Sequence, residues 1–552
     1  MDLFLRILLI IAIFFVPFSF AGAEPWVFSI LQGIVAILLG GILFTRRTLI
    51  YTPLYKPVLY LLGMLTLYAA VQSICPQTLL MRPAPYPSTL MRLYTLEHAS
   101  YFITYAALVF CVMQLAQTSK QVSQLTAWLT ACAVAIVLCV LCLPKGQYIL
   151  ALANVRGGYG PFLNRNHGGI YLAASAVLSV GWVVAAWRNR HHIKIPKPSF
   201  YARQIWALLL AIAIGVAAVF SRSRGGMLSL SVGLFVFSVL CSCYVPLTWK
   251  KRLKSLALVL VVFALGAYWA YTHVDQINEF AQRRTVQDTS IEIRKMLYHA
   301  AGDMLDNYPL WGIGIGALPV VVTSYVEKPI SSYVERLHSD WLEILVGTGY
   351  VGGILILLGL LYFIYIVLRR LRRLESVKQI KLAALVAALV VICNGAVFDF
   401  PFFIPATACL FFIITGLACS VSFWKDRTHT WQPALLLRLL VLIIFLAACI
   451  IPLRRTLSWR AFLFGRNYKT EMHLQYYQKG LALYPSPRAA ARLGNAYYNA
   501  AVRSKDPAEK ARLLEQANQL SITYLRKYPQ EKALSILYMR TRPAGADADI
   551  SR

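Results

Sequence analysis

The sequence predicts an all-α, polytopic membrane protein of about thirteen transmembrane helices, with a helical loop on one face and a soluble α-helical tail. Three observations carry this. Of 552 residues, 59% are apolar and only 14% charged. The apolar residues gather in runs of ~18 to 25, the length that crosses a bilayer as helix. Basic residues recur at every second exit from these runs, which is the positive-inside pattern.

The runs lie roughly at 3–20, 26–44, 56–74, 99–117, 125–143, 168–187, 204–220, 226–245, 255–272, 341–368, 382–399, 403–422 and 434–452. The first, with Arg6 near its start and Ala21-Gly22-Ala23 at its end, also has the outline of a cleavable signal peptide. An uncleaved first span is preferred because many spans follow. Arg46, Arg47 and Lys56 follow the second run, Lys120 the fourth, and Arg188, Arg190, Lys194, Lys197 and Arg203 the sixth. Lys250, Lys251, Arg252 and Lys254 follow the eighth, Arg369 through Lys381 the tenth, and Lys425 and Arg427 the twelfth. The N-terminus is therefore expected inside. The net charge of +31 records this orientation and not a nucleic-acid partner. Ten of the eleven cysteines fall inside spans, with Cys75 at an edge, so they read as buried thiols and not as a disulfide or metal framework.

With the N-terminus inside, the exits at 75–98, 144–167 and 273–340 face the exterior and exceed a plain connector in length or polarity. A fourth, very short, carries Ser221-Arg222-Ser223-Arg224-Gly225-Gly226. In 273–340, Ser290 has the look of an N-cap, and Ile293, Met296, Leu297, Ala300, Ala301 and Met304 recur at helical spacing. After Asn307-Tyr308-Pro309, Gly312, Gly314 and Gly316 suggest a flexible turn whose amides approach a ligand closely. Residues 1–452 read as the membrane domain. From 453 to 552 a tail of amphipathic helices follows, at about 470–484, 487–503, 507–527 and 530–540. Ala489 to Tyr498 resembles the first helix of a tetratricopeptide unit. Both 273–340 and the tail are expected outside, where Glu327 and Ser504 would be reached by an impermeant reagent.

His338 places an imidazole, a side-chain type able to accept and return a proton, at the outer mouth of a span in Arg336-Leu337-His338-Ser339-Asp340-Trp341-Leu342-Glu343. It is a candidate base or, equally, part of a helix cap with Ser339 or Asp340. Arg222 and Arg224 either snorkel to the headgroups or clamp a pyrophosphate, for which small neighbours leave room. Arg294 lies on the loop helix, where a solvated charge is the plainer reading. Asn164, Arg165, Asn166 and His167 form a polar knot before the sixth span, suited to sugar hydroxyls and to turns alike. No phosphate loop, His-Glu-x-x-His helix, nucleophile elbow or paired-carboxylate site is visible.

His338 through Gly352 (HSDWLEILVGTGYVG) resembles the His-Asn-Asp-Tyr-Leu-Gln and Glu-x-Gly-x-x-Gly patterns of the O-antigen ligase and polymerase superfamily. Gly160 to His167 is similar to its Phe-x-Asn-x-Asn loop, Ser223-Arg224-Gly225 to its Ser-Arg-Gly turn, and Arg294 with Pro309, Gly312 and Gly314 to its Arg and Pro-x-x-Gly-x-Gly element. The order and sidedness make the combination specific. Ser339 stands for the usual Asn, and Gly347 where the family often has Glu; Glu343, a turn earlier on the same face, is a candidate substitute.

The resemblance implies a membrane-embedded, GT-C-like glycosyltransferase without metal or cofactor. Its donor would be a polyprenyl-diphosphate-linked glycan. Its acceptor would be lipid A core or another glycan in an O-antigen ligase, a growing chain in a polymerase, or a protein hydroxyl in a protein O-oligosaccharyltransferase. His338, Arg224 and Arg294 would be catalytic, with Arg222, Asn164, Asn166, Asp340 and Glu343 binding substrate and Asp340 or Glu343 supporting His338. Membrane lipids, and a protein docked on the tail, are the other expected partners. The rival of a different class is a lipid-linked oligosaccharide flippase; the one-sided clustering of polar residues and the lack of an internal repeat favour the enzyme. The expected location is a bacterial inner membrane, with site and C-terminus periplasmic.

Overall fold

The computed structural model describes residues 1–75, 85–142, 158–190, 198–246, 248–250, 252–253, 257, 285–326, 336–422, 429–468, 471–528 and 531–542. Eighteen α-helices lie among them: α1 (Asp2–Phe18), α2 (Pro25–Thr45), α3 (Tyr55–Ile74), α4 (Arg92–Leu115), α5 (Ser119–Cys142), α6 (Arg165–Asn189), α7 (Pro198–Phe220), α8 (Arg224–Tyr244), α9 (Thr285–Asn307), α10 (Leu318–Val321), α11 (Asp340–Leu371), α12 (Ser376–Phe398), α13 (Pro405–Val421), α14 (Leu435–Gly465), α15 (Glu471–Leu483), α16 (Pro487–Arg503), α17 (Pro507–Leu525) and α18 (Lys532–Thr541). Ten of the described helices are long and apolar enough to cross a membrane. With the apolar α1 and α13, of 17 residues each, they account for every predicted span except 255–272, which lies outside the described residues apart from Ala257. The protein is an all-α, multi-pass membrane protein.

Local sequence sets many of the boundaries. Asn164, Ser223 and Ser339 cap α6, α8 and α11 with their side chains, each oxygen accepting one of the first unpaired amides. Proline opens α2, α13, α16 and α17, where its missing N–H costs nothing. Small residues set the interhelical spacing: a Cβ on Gly181 would meet that of Ala384 at 2.0 Å, and one on Gly233 would meet Val391 at 2.3 Å. Substitution at either would push α12 off α6 or α8.

Two boundaries differ from expectation. Ser290 is not an N-cap, because α9 begins at Thr285; the helix extends through the polar stretch ahead of its apolar face. That face is as predicted, with Leu297, Ala300, Ala301 and Met304 buried against Leu318, Val321 and Val346. The last apolar run does not end its helix at 452. Pro452 sits inside α14, which continues to Gly465, since no glycine or further proline interrupts 453–464. The tail helices α15 to α18 follow close to their predicted positions, with Leu493, Tyr497, Leu513, Ala517 and Leu537 forming a core of their own.

The glycine turn after Pro309 is not a ligand loop. Its amides are spent on the protein: Ile313 N donates to Val346 O, Gly314 N to Gly347 O, and Ile315 N to the Gln72 side chain. Tyr350 N and Val351 N donate back to Pro309 O and Leu310 O. This exchange opens α11 at Gly349, whose φ is +66°. A Cβ on Gly312 or Gly349 would fall 2.4 Å from a facing carbonyl oxygen. The glycines therefore permit two backbones to touch. Gly347, where an acid was expected, faces the Ile315 backbone in the same contact.

Candidate functional site

One end of the bundle gathers the start of α6, the turn between α7 and α8, the start of α11 and the connection from α12 to α13. The Ser221–Gly226 turn packs closely onto α6: a Cβ added to Gly169 would fall 2.5 Å from the Ser221 hydroxyl, and one on Gly226 would press to 3.2 Å from the Gly169 backbone. The non-glycine residues with left-handed backbone among those described are Phe20, Ala21, Arg222 and His338. All lie in turns at this end, a backbone state held only where the surroundings impose it.

At the centre is Asp399, which follows the last residue of α12 and is almost fully buried. Asn166 Nδ2 donates to its Oδ2 at 2.8 Å, and Phe400 N to its Oδ1 at 3.0 Å. His167 Nε2 and His338 Nδ1 approach the same Oδ1 at 3.4 and 3.5 Å. Both ring nitrogens are buried, and Phe400 packs edge-on against both rings. Burial works to raise the Asp399 carboxyl, but hydrogen bonds and charge from His167, His338 and Asn166 hold it well below the usual carboxylate range. A charged carboxylate 3.5 Å from Nδ1 favours the ring orientation in which Nε2 is the nitrogen left for a substrate. About a third of the His338 side chain is accessible.

His338 and His167 line a cavity of about 450 Å³ with Asn164, Arg336, Arg455, Glu24, Tyr101, Tyr105, Ile293, Leu297 and, after Asp399, Phe400 and Phe402 to Pro405. Arg336 stacks on Phe403, 3.4 Å from the ring centroid, and Nη1 donates to Glu343 Oε1 at 2.8 Å. Leu337 N donates to the other Glu343 oxygen. Asp340 Oδ2 accepts from Phe402 N at 2.8 Å, and Asp340 N donates to Asp399 O. These bonds tie α11 to the segment that carries Asp399.

A cavity walled by an imidazole on a carboxylate, two guanidinium groups and aromatic rings suits proton exchange with a hydroxyl and recognition of phosphate oxygens. Residues 207–357 match the family model described as O-antigen ligase. Over this segment the chain is similar to the O-antigen ligase superfamily, in line with the resemblance of its motifs. The match supports a function of the ligase and polymerase type in general, a glycosyltransferase-like class whose substrates are a lipid-linked glycan and an acceptor. No curated protein matches the chain significantly. The ligase model spans the Ser-Arg-Gly turn, Arg294 and the His338 segment, while Asn166, Asp399 and Arg455 lie outside it.

The carboxylate nearest the His338 ring is Asp399, not Asp340 or Glu343 as expected, because those two are held by Phe402 N and by Arg336 with Leu337 N. Asn164 caps α6 by accepting from Asn166 N and also lines the cavity, so its two readings coexist. Asn166 orients Asp399. Arg222 and Arg224 are exposed at the tip of the α7–α8 turn. Arg294 is half-buried on α9, one turn from Tyr298, whose hydroxyl donates to His338 O. Burial pushes the Tyr298 phenol up, with the Arg294 charge opposing and that of Asp399 adding. These three arginines are not among the residues facing the His338 cavity; Arg336 and Arg455 are. Asp399 and Arg455 were missed by sequence reading. The available signal was an acid and a base at the ends of apolar runs, where charge is costly unless it has a task.

Proposed function

We propose that this protein transfers a glycan from a polyprenyl-diphosphate donor to a hydroxyl of an acceptor glycan, lipid A core in the ligase reading, on the periplasmic face of a bacterial inner membrane. The observation that carries the proposal is His338, backed by Asp399, at the wall of an arginine-lined cavity. The acceptor oxygen bonds to the anomeric carbon of the donor sugar as its bond to phosphate breaks. The electron pair leaves on the diphosphate, and the acceptor's proton passes to His338 Nε2. Arg224, Arg222 and Arg294, at the same end of the bundle, and Arg336 in the wall offset the charge on the leaving group, so no metal is required. Asn164 meets sugar hydroxyls, and Asp340 and Glu343 hold the wall in shape.

The division into a membrane domain, 1–452, and a helical tail, 453–552, is proposed to separate bond formation from acceptor docking or assembly with a protein partner. A cysteine at Ser504 should label from outside in intact spheroplasts; labelling only after lysis would reverse the orientation. Glu327 lies outside the described residues. The test of mechanism is purified protein with lipid-linked donor and excess chelator. His338→Ala should lose ~10²- to 10⁴-fold in turnover, Arg224→Ala and Arg294→Ala should be severely impaired, and chelator should change nothing. Near-normal turnover in His338→Ala, or abolition by chelator alone, refutes the proposal.

A further inference from the structure

The cavity receives one of its charges from the last membrane helix, at a point where the tail touches the bundle. Arg455 of α14 donates through Nη1 to Glu97 Oε1 and reaches the Tyr101 hydroxyl at 3.5 Å. Glu97, on α4, is buried to 2% exposure of its side chain, whereas 40% of the Arg455 side chain stays accessible. Its Nε and Nη2 make no hydrogen bond among the described residues. Arg455, Tyr101, Arg336 and His338 line the same cavity. The other Glu97 oxygen is taken by the tail: Tyr484, just beyond α15, donates to Oε2 at 2.6 Å and stacks on Tyr94 of α4.

We propose that Arg455 binds the diphosphate of the donor, and that Tyr484 is its positioning residue, so that the tail completes the substrate cavity. This rests on the donor chemistry proposed above. A guanidinium offers five N–H groups in a planar fork, and its strongest arrangement on a carboxylate is bidentate. Here that arrangement is denied, because Tyr484 occupies one Glu97 oxygen and Tyr101 shares the other. The fork is held by one edge, and its remaining donors stay available to an anion. Without the Tyr484 hydroxyl, Oε2 would be a buried acceptor with no partner. Arg455 would then turn onto Glu97 with both edges and leave the cavity.

The experiment uses the full chain in detergent and farnesyl diphosphate as the probe, with Kd read by calorimetry. Wild type should bind it. Arg455→Ala should weaken binding by ~10- to 100-fold, the range for a lost charge-assisted bond, with Arg455→Lys in between. Tyr484→Phe should raise Kd by several-fold and raise the donor KM without a matching fall in kcat. Tyr497→Phe, which removes a tail hydroxyl that accepts from Gln478, should bind like wild type. If Arg455→Ala does not fold, Glu97→Gln/Arg455→Met removes both charges and takes its place. Unchanged Kd in the folded Arg455 variant, or in Tyr484→Phe, overturns the inference. Failure of the wild type to bind farnesyl diphosphate overturns the donor reading instead.

Discussion

Two arginines on α14 stand at opposite ends of the bundle and are used in opposite ways. Arg438 donates through Nε to Pro433 O, through Nη1 to Leu43 O and Arg46 O, and through Nη2 to Arg47 O. It closes the last turn of α2 beside the small antiparallel pair of strands β1 (Leu49–Tyr51) and β2 (His429–Trp431). Its three nitrogens all serve unpaired helix-end and loop carbonyls. Arg455, almost five turns further along at 3.6 residues per turn, spends one edge on a buried carboxylate and turns the rest to a cavity. Charge at a membrane boundary is therefore not by itself a functional mark. What separates the two arginines is whether the fold engages every nitrogen of the guanidinium.

The sharpest way to break this comparison is to remove the carboxylate that organises the site end. Asp399→Ala removes the carboxylate beside His338 Nδ1 and should cost about 10²-fold or more in single-turnover rate. A loss under about tenfold would remove Asp399 from the site. At the other end, Arg438→Ala should leave donor KM unchanged and lower stability by ~1–3 kcal/mol, because several carbonyls lose their donor. A change in KM with unchanged melting would reverse the assignment of the two ends. Truncation after residue 460, which removes Tyr484, should spare part of the transfer at saturating donor while raising donor KM; complete loss in a stably inserted protein would join the tail to bond formation itself.

The smallest effect is on pH dependence. The folded Asp399 carboxyl lies below its ordinary value, so the stability it adds is complete above about pH 5 and is lost as pH falls from there through the folded value. Melting followed from pH 7 to pH 3 should fall less steeply in Asp399→Asn than in wild type, with the variant already less stable at pH 7. An identical slope would mean that Asp399 is not held as an anion.

Spans, the capped start of α6 and the place of His338 were legible because each is written in a short stretch of sequence. Hydropathy over some twenty residues selects a span, and a polar knot before an apolar run marks a helix entrance. The glycine turn was legible as glycine-rich but not in its purpose, since approach to a ligand and approach to another backbone ask the same of the residue. Asp399 and the Glu97–Arg455 pair were not legible in role. Each charge stands at the edge of an apolar run, and its partners lie on helices distant in the chain.

By itself, then, the sequence determined an all-α membrane bundle, which residues enter it, and a set of candidate bases, amides and arginines on one side. Only the tertiary structure decided that Asp399 backs His338, that Arg336 and Arg455 face the same cavity, and that a tyrosine from the tail holds the second of them in place. The physical reason is that hydrophobic burial is read locally and without direction, whereas a buried charge is stable only with partners at hydrogen-bond distance. Which partners arrive is settled by how the helices pack.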